Sequence, residues 1–92
     1  MKIRIEIDDL ASSNIISIAY VSTSDNNSMI EFSKVLGELV VTFSNNYRYI
    51  YVNVSLGDLS KCMSSDSFGS AFSRIIKPNY IGTRLTRPWE YE

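Results

Sequence analysis

The sequence predicts an α+β fold, an antiparallel sheet of about four strands followed by two C-terminal helices packed on one face. Three observations predict it. Hydrophobic residues alternate with polar ones at a period of two through the first half of the chain, and turn-forming residues separate these stretches. After Ser55 the period lengthens to that of a helix. Strands first and helices last is the order of a sheet whose helices are segregated to one side.

Residues 2–7 send Ile3, Ile5 and Ile7 one way and Lys2, Arg4 and Glu6 the other, the pattern of a half-buried strand. Asp8-Asp9 breaks it. Residues 14–21 resume an extended pattern, with Ile16, Ile18 and Tyr20 facing one side. Residues 22–28, Ser-Thr-Ser-Asp-Asn-Asn-Ser, read as an exposed loop. Residues 29–34 suit a short strand or a helical turn equally. Residues 36–43 read as a strand with Leu39, Val41 and Phe43 on one face. Ser44-Asn45-Asn46 is a hairpin signal, because asparagine tolerates the left-handed backbone of a tight turn. Residues 47–54 form the return strand, with Tyr47, Tyr49 and Tyr51 on one side and Ile50, Val52 and Val54 on the other.

Ser55-Leu56-Gly57-Asp58 has the hydroxyl and carboxylate spacing of a capping box. In the helix it opens, Leu56, Leu59 and Met63 share a face. A second helix is expected from Ser65 or Asp66, with Phe68, Ala71, Phe72, Ile75 and Ile76 as its apolar stripe, and Pro78 ends it. The tail from Asn79 has three aromatic residues and no clear period.

The 92 residues give room for one domain, 1–92, and the composition, 45% hydrophobic and 12% aromatic, is that of a globular chain. The net charge of −1 brings no global attraction to polyanions. One cysteine, Cys62, forms no internal disulfide, and no apolar run approaches the ~20 residues of a membrane span. The expected location is therefore the cytoplasm, without membrane contact.

With no histidine and a single cysteine, the usual zinc sets and histidine-based nucleophilic chemistry are ruled out within one chain. No phosphate-binding glycine motif occurs, and no cofactor is expected. Asp8-Asp9 and the Ser73/Lys77 pair are the remaining catalytic candidates. Both have simpler readings, a solvated turn and a helix C-terminal lysine. The chain is expected to bind rather than to catalyse.

Three features carry the binding expectation. Alternate tyrosines, roughly 6–7 Å apart along a strand, suit stacking of planar groups. From Ser67 to Trp89 there is no acid, while Arg74, Lys77, Arg84 and Arg87 are basic, which suits an anionic partner. Ser65-Asp66-Ser67-Phe68-Gly69 would present backbone N–H groups at a helix start, either to an anion or to an ordinary cap.

The ordered residues Ser12-Ser13, Ile15, Ile18 and Tyr20, then Leu39, Val41, Phe43, Asn46, Tyr49, Tyr51 and Val54, then Asp66-Ser67, Gly69, Phe72-Ser73 and Ile76-Lys77 resemble the KTSC domain. That domain is named for the C-terminus of some lysyl-tRNA synthetases and also occurs as small stand-alone proteins of bacteria and phages. Its centre is a Tyr-x-Tyr motif, matched by Tyr49-Ile50-Tyr51. The resemblance covers a core of about residues 12–80, with an added strand at 2–7 and a C-terminal extension at 83–92. Asn46 stands at the family's hairpin glycine and Ser55 at its proline, and about ten extra residues lie near 24–36. By position, Tyr49, Tyr51, Ser67, Gly69, Phe72 and Lys77 are the motif residues, and the synthetase context implies RNA binding.

Taken together, these features lead us to expect a ligand site formed by Tyr49, Tyr51, Ser67, Gly69, Arg74, Lys77, Tyr80 and Arg84. The expected partner is a nucleotide or short RNA, with no metal. The alternatives are a homo-oligomeric phage protein that sequesters a host nucleotide signal or inhibits a host defence protein, and a protein–protein adaptor using Trp89 and Tyr91 in the tail.

Overall fold

A computed structural model describes residues 3–8, 10, 14–23 and 32–85. One antiparallel sheet runs in chain order through β1 (Arg4–Ile7), β2 (Ile15–Ser22), β3 (Leu36–Phe43), β4 (Arg48–Ser55) and β5 (Gly82–Leu85). Helix α1 (Leu56–Met63), helix α2 (Phe68–Ala71) and a π-helical turn (Phe72–Ile76) lie between β4 and β5, and a 3-10 turn (Phe32–Lys34) precedes β3. The α+β class and the one-sided helices follow the sequence reading. The count of strands does not: the described residues form five, and the helices are enclosed by β4 and β5 rather than following the last strand. β5 escapes periodicity because four residues, Gly-Thr-Arg-Leu, are too few to show alternation and are mostly exposed. Met29, Trp89 and Tyr91 lie outside the described residues.

Two bulges decide which side chains reach the core. In β2 the register shifts between Ile15 and Ser17, so Ile15 is buried and Ile16 is turned out. In β4 Asn53 takes φ 57°, and the partners step from Leu39↔Tyr51 to Gly37↔Val54. The extra residue brings Val54 to the same face as Tyr51, fully buried, and leaves Val52 exposed. Strict alternation had placed Ile16 in the core and Val54 away from the tyrosines. Asparagine is one of the few residues that enters the left-handed region at low cost, so this strand bends without glycine.

Tyr20 fastens the second bulge from inside. Its ring is buried, and its hydroxyl donates to the Val54 carbonyl at 2.9 Å, with the Val35 carbonyl a longer contact at 3.4 Å. The ring passes over Gly37, where a Cβ would stand 2.7 Å from the ring carbon bearing the hydroxyl. Ser22, also buried, receives the Ile3 N–H at 2.8 Å and so ties the residue ahead of β1 to β2.

The hairpin between β3 and β4 follows its letters. Asn46 takes φ 71° and donates to Phe43, while Phe43 donates to Tyr47, closing a three-residue loop. At α1 the Ser55 hydroxyl accepts from the Asp58 N–H at 3.2 Å, the expected cap. The second half of the box is rerouted. Tyr80 donates to the Asp58 carboxylate at 2.6 Å and accepts from the Ser55 N–H at 3.3 Å. The buried face of α1 is Leu56, Leu59 and Cys62, with Met63 exposed, so the cysteine takes the place given to methionine by spacing.

The core packs Ile15, Ile18, Tyr20, Leu39, Val41, Tyr51 and Val54 of the sheet against Leu56, Leu59, Cys62, Phe68, Ala71, Phe72 and Ile76. The helices thus cover the tyrosine side of β4. Burial raises the Cys62 thiol from 9.0 to about 11, aided by Asp58 and opposed by Arg74. Burial, and then Tyr80, push the Tyr20 phenol from 10.0 up to about 12. Both groups hold their protons more tightly folded than unfolded. Their stabilisation is complete below the unfolded values and is lost as pH rises through the folded ones. The unfolding free energy in urea is therefore expected to be level up to pH 9 and to fall from there towards pH 12. Cys62→Ala should delay the onset of that fall, whereas an unchanged onset would show that the thiol contributes nothing.

Candidate ligand-binding cleft

Tyr47, Tyr49 and Tyr51 lie on one strand but in different surroundings. Tyr51 is 4% exposed and its ring lies against Gly82 of β5, where a Cβ would come within 2.4 Å of it. Tyr49 is half-buried and stacks on Tyr51, centroids 6.5 Å apart and planes at 25°. Tyr47 is 49% exposed. The stripe therefore passes from core to surface along its length, and its outer end opens into a cleft.

The cleft holds about 360 Å³ between the β3–β4 hairpin, the start of β2 and the α2–π segment. Aromatic edges make its floor. Phe43 meets Tyr49 edge-on at 5.5 Å and Phe72 at 5.9 Å, and Phe72 in turn meets Tyr51 at 5.4 Å. Hairpin residues Ser44 and Asn45 form one rim, with Asn14 beside them because Ser44 donates to its carbonyl at 2.8 Å. Gly69, Ser73 and Lys77 form the other rim. The π turn arranges this rim: Lys77 N–H bonds to Phe72 O at 3.0 Å, five residues back, and such widened turns recur at functional sites.

Among the described residues Lys77 is the one basic side chain lining the cleft, and no carboxylate lines it. A second cation stands at its edge. Arg84, paired with Tyr49 across β4 and β5, sets its guanidinium 4.7 Å from the centroid of the Tyr47 ring. The Tyr51 phenol is raised by burial, then by Tyr49, and so remains a hydrogen-bond donor at neutral pH. An aromatic floor, hydroxyl and amide rims and two cations can hold a planar group by stacking and an anionic one by charge.

Four of the eight expected site residues line this cleft: Tyr49, Tyr51, Gly69 and Lys77. Arg84 reaches it through Tyr47. Ser67, Arg74 and Tyr80 do not line it. Ser67 caps α2, its hydroxyl accepting from the Ser70 N–H at 3.2 Å while its own N–H donates to Ser65. The helix start read as a candidate anion site is therefore occupied by neighbouring serines. Arg74 is exposed on the π turn, and Tyr80 is committed to α1. Asn14, Phe43, Ser44 and Asn45 were not named as site residues; the hairpin motif marked Ser44 and Asn45, the family resemblance marked Phe43, and nothing marked Asn14. Ser73 and Lys77 both face the cleft and both are exposed. Among the described residues no group of three histidine, cysteine or acidic side chains could hold a metal ion, and no helix is long and apolar enough to cross a membrane. No protein-family model and no curated protein matches the chain.

Proposed function

We propose that the chain is a non-catalytic binding module, a KTSC-like domain that takes a nucleotide-like ligand or the end of a short RNA in the hairpin cleft. The observation that carries this reading is convergence. Tyr49, Tyr51, Gly69, Phe72 and Lys77, five of the six motif residues carried over by resemblance, line one cleft, the tyrosines from β4 and the other three from the continuous α2–π segment and its C-cap. The two cations at the cleft, with no carboxylate among the described residues that line it, favour an anion, and the aromatic floor favours a planar base. A cytoplasmic setting, bacterial or phage-infected, fits the buried free thiol and is part of the same reading.

Calorimetric titration with adenosine and guanosine mono- and diphosphates and with a short single-stranded RNA provides the test. Tyr47→Ala, at an exposed position where the fold is not at risk, is expected to weaken binding about 5- to 100-fold, the range of one lost stacking contact. Lys77→Gln should flatten the salt dependence by about 0.7 in the log–log slope per phosphate contact. Failure of all these probes to bind, or an affinity indifferent to both substitutions, overturns the proposal.

A further inference from the structure

The sheet's second face carries an apolar strip that no described element covers. Ala19, Val40 and Ile50 are direct cross-strand neighbours in one row. Alternation along the same strands adds Val21, Leu36 and Val52. Val40 is only 6% exposed yet stands apart from the core cluster, while Leu36 is 41% and Val52 45% exposed. Ile81, directly before the Tyr51 partner Gly82, is 80% exposed at the entry to β5. Of the six large exposed hydrophobics among the described residues, Leu36 and Val52 lie on this face and Ile16 is turned out at its bulge.

Charge is arranged around the strip in two complementary sets. Arg4 is opposite Val21 and so shares a row with Glu38, while Glu6 is opposite Ala19 and Asp8 follows at the end of β1. Arg48 lies across the sheet, opposite Thr42, and has no ion pair among the described residues. We infer that two copies of the chain pack through this face about a two-fold axis that runs along the strands between β2 and β3. That axis sets β4 of one copy over β1 of the other and β3 over β2. Val40 then meets Ala19 of the second copy. Arg48 falls on Asp8, above the hollow of about 150 Å³ that Asp8 and Glu6 line together with Ser17, Thr42 and Arg48 of their own chain. Arg4 falls beside Glu38. Each contact occurs twice, and no like charges are superposed, as an isologous interface requires.

The extent is adequate. Three strands of eight residues and β1 of four, about 4.8 Å apart at about 3.4 Å per residue, present on the order of 450 Å² in plan. Side-chain relief raises the accessible area toward the roughly 800 Å² that each partner contributes to a standard interface. Face-to-face sheets pack about 10 Å apart, within reach of arginine across the gap. The tyrosine clefts lie on the opposite faces of the two copies, so dimerisation and ligand binding are independent.

Sedimentation velocity over a micromolar concentration series tests the pairing. The wild-type chain should sediment as a dimer. Ile50→Glu, which sets a second carboxylate over Glu6 of the other copy, should sediment as a monomer with an unchanged circular dichroism spectrum. Arg48→Asp and Asp8→Arg should each raise the dissociation constant about tenfold or more. The two together restore the pair with reversed sign, and the double variant should return to within about threefold of wild type, a recovery that a merely unfolded variant cannot give. A wild-type monomer throughout the series, as would follow if another segment of the chain covered the face, overturns the inference. So does a double variant no tighter than its single parents.

Discussion

Phe72→Ala is expected to lower the unfolding free energy by about 3–5 kcal/mol, the cost of emptying a large aromatic site that can only partly collapse. Phe72 is 1% exposed and sits between three rings, Phe43, Tyr51 and Phe68, at 5.9, 5.4 and 6.4 Å. It joins the sheet to the helical layer, and its neighbours lie in elements distant along the chain, so the void has no single flexible wall. A chain of this size has about 5–14 kcal/mol in total, so the variant should be close to the folding threshold. Urea unfolding should show a lower midpoint at an unchanged slope, and Phe72→Leu should recover most of the loss. An alanine variant within about 1 kcal/mol of wild type would mean that the aromatic cluster is not a close-packed core.

Gly37→Ala is the second large effect, and it arises from crowding rather than loss. A Cβ at Gly37 would stand 2.6 Å from the Val21 carbonyl oxygen and 2.7–2.8 Å from the end of the Tyr20 ring and its hydroxyl. The carbonyl belongs to the neighbouring strand and cannot withdraw without disturbing the β2–β3 ladder. The ring is fully buried and cannot swing out without releasing the Val54 carbonyl. Overpacking costs about 1–3 kcal/mol, and a forfeited buried hydrogen bond adds a similar amount, so a loss of about 3 kcal/mol or more is expected. The paired variant Gly37→Ala with Tyr20→Phe separates the two contributions. It should be no worse than the single change if the hydroxyl's bond is already broken there, and additive if the ring has stayed in place.

Much of this architecture was legible in the chain. Four strands, the hairpin at Asn46, the Ser55 cap and the amphipathic stripe of the second helix follow from alternation, turn chemistry and helical spacing. What escaped did so for definite reasons. A bulge adds one residue without altering composition, so Asn53 inside Tyr-Val-Asn-Val reads as ordinary strand while in fact reversing the side to which Val54 points. Cys62 and Met63 are adjacent and both suit a core, and only the helix's rotation against the sheet chooses between them. β5 gains its identity from β4, not from its own four letters. The same holds for the cleft. The tyrosines, Gly69 and Lys77 were visible as a motif, but Ser44, Asn45 and Asn14 reach the rim through the Ser44–Asn14 backbone bond, which no local pattern encodes. Tyr80 was expected among the ligand contacts, and the structure gives it hydrogen bonds at the start of α1.

The place of β5 has a consequence for motion. This strand returns to the sheet after both helical segments, pairs along one edge only among the described residues, and leaves three of its four residues exposed. It is also the strand that carries Arg84 over Tyr47 and Gly82 against Tyr51. An edge segment with so little buried surface opens by sub-global unfolding far more often than the whole domain does. Each such opening lifts one cation from the cleft and uncovers one face of the Tyr51 ring while β1 to β4 stay paired. Under the proposed function, amide exchange at the edge and ligand exchange at the cleft are therefore coupled through one element. A ligand bridging Lys77 and Arg84 would slow both.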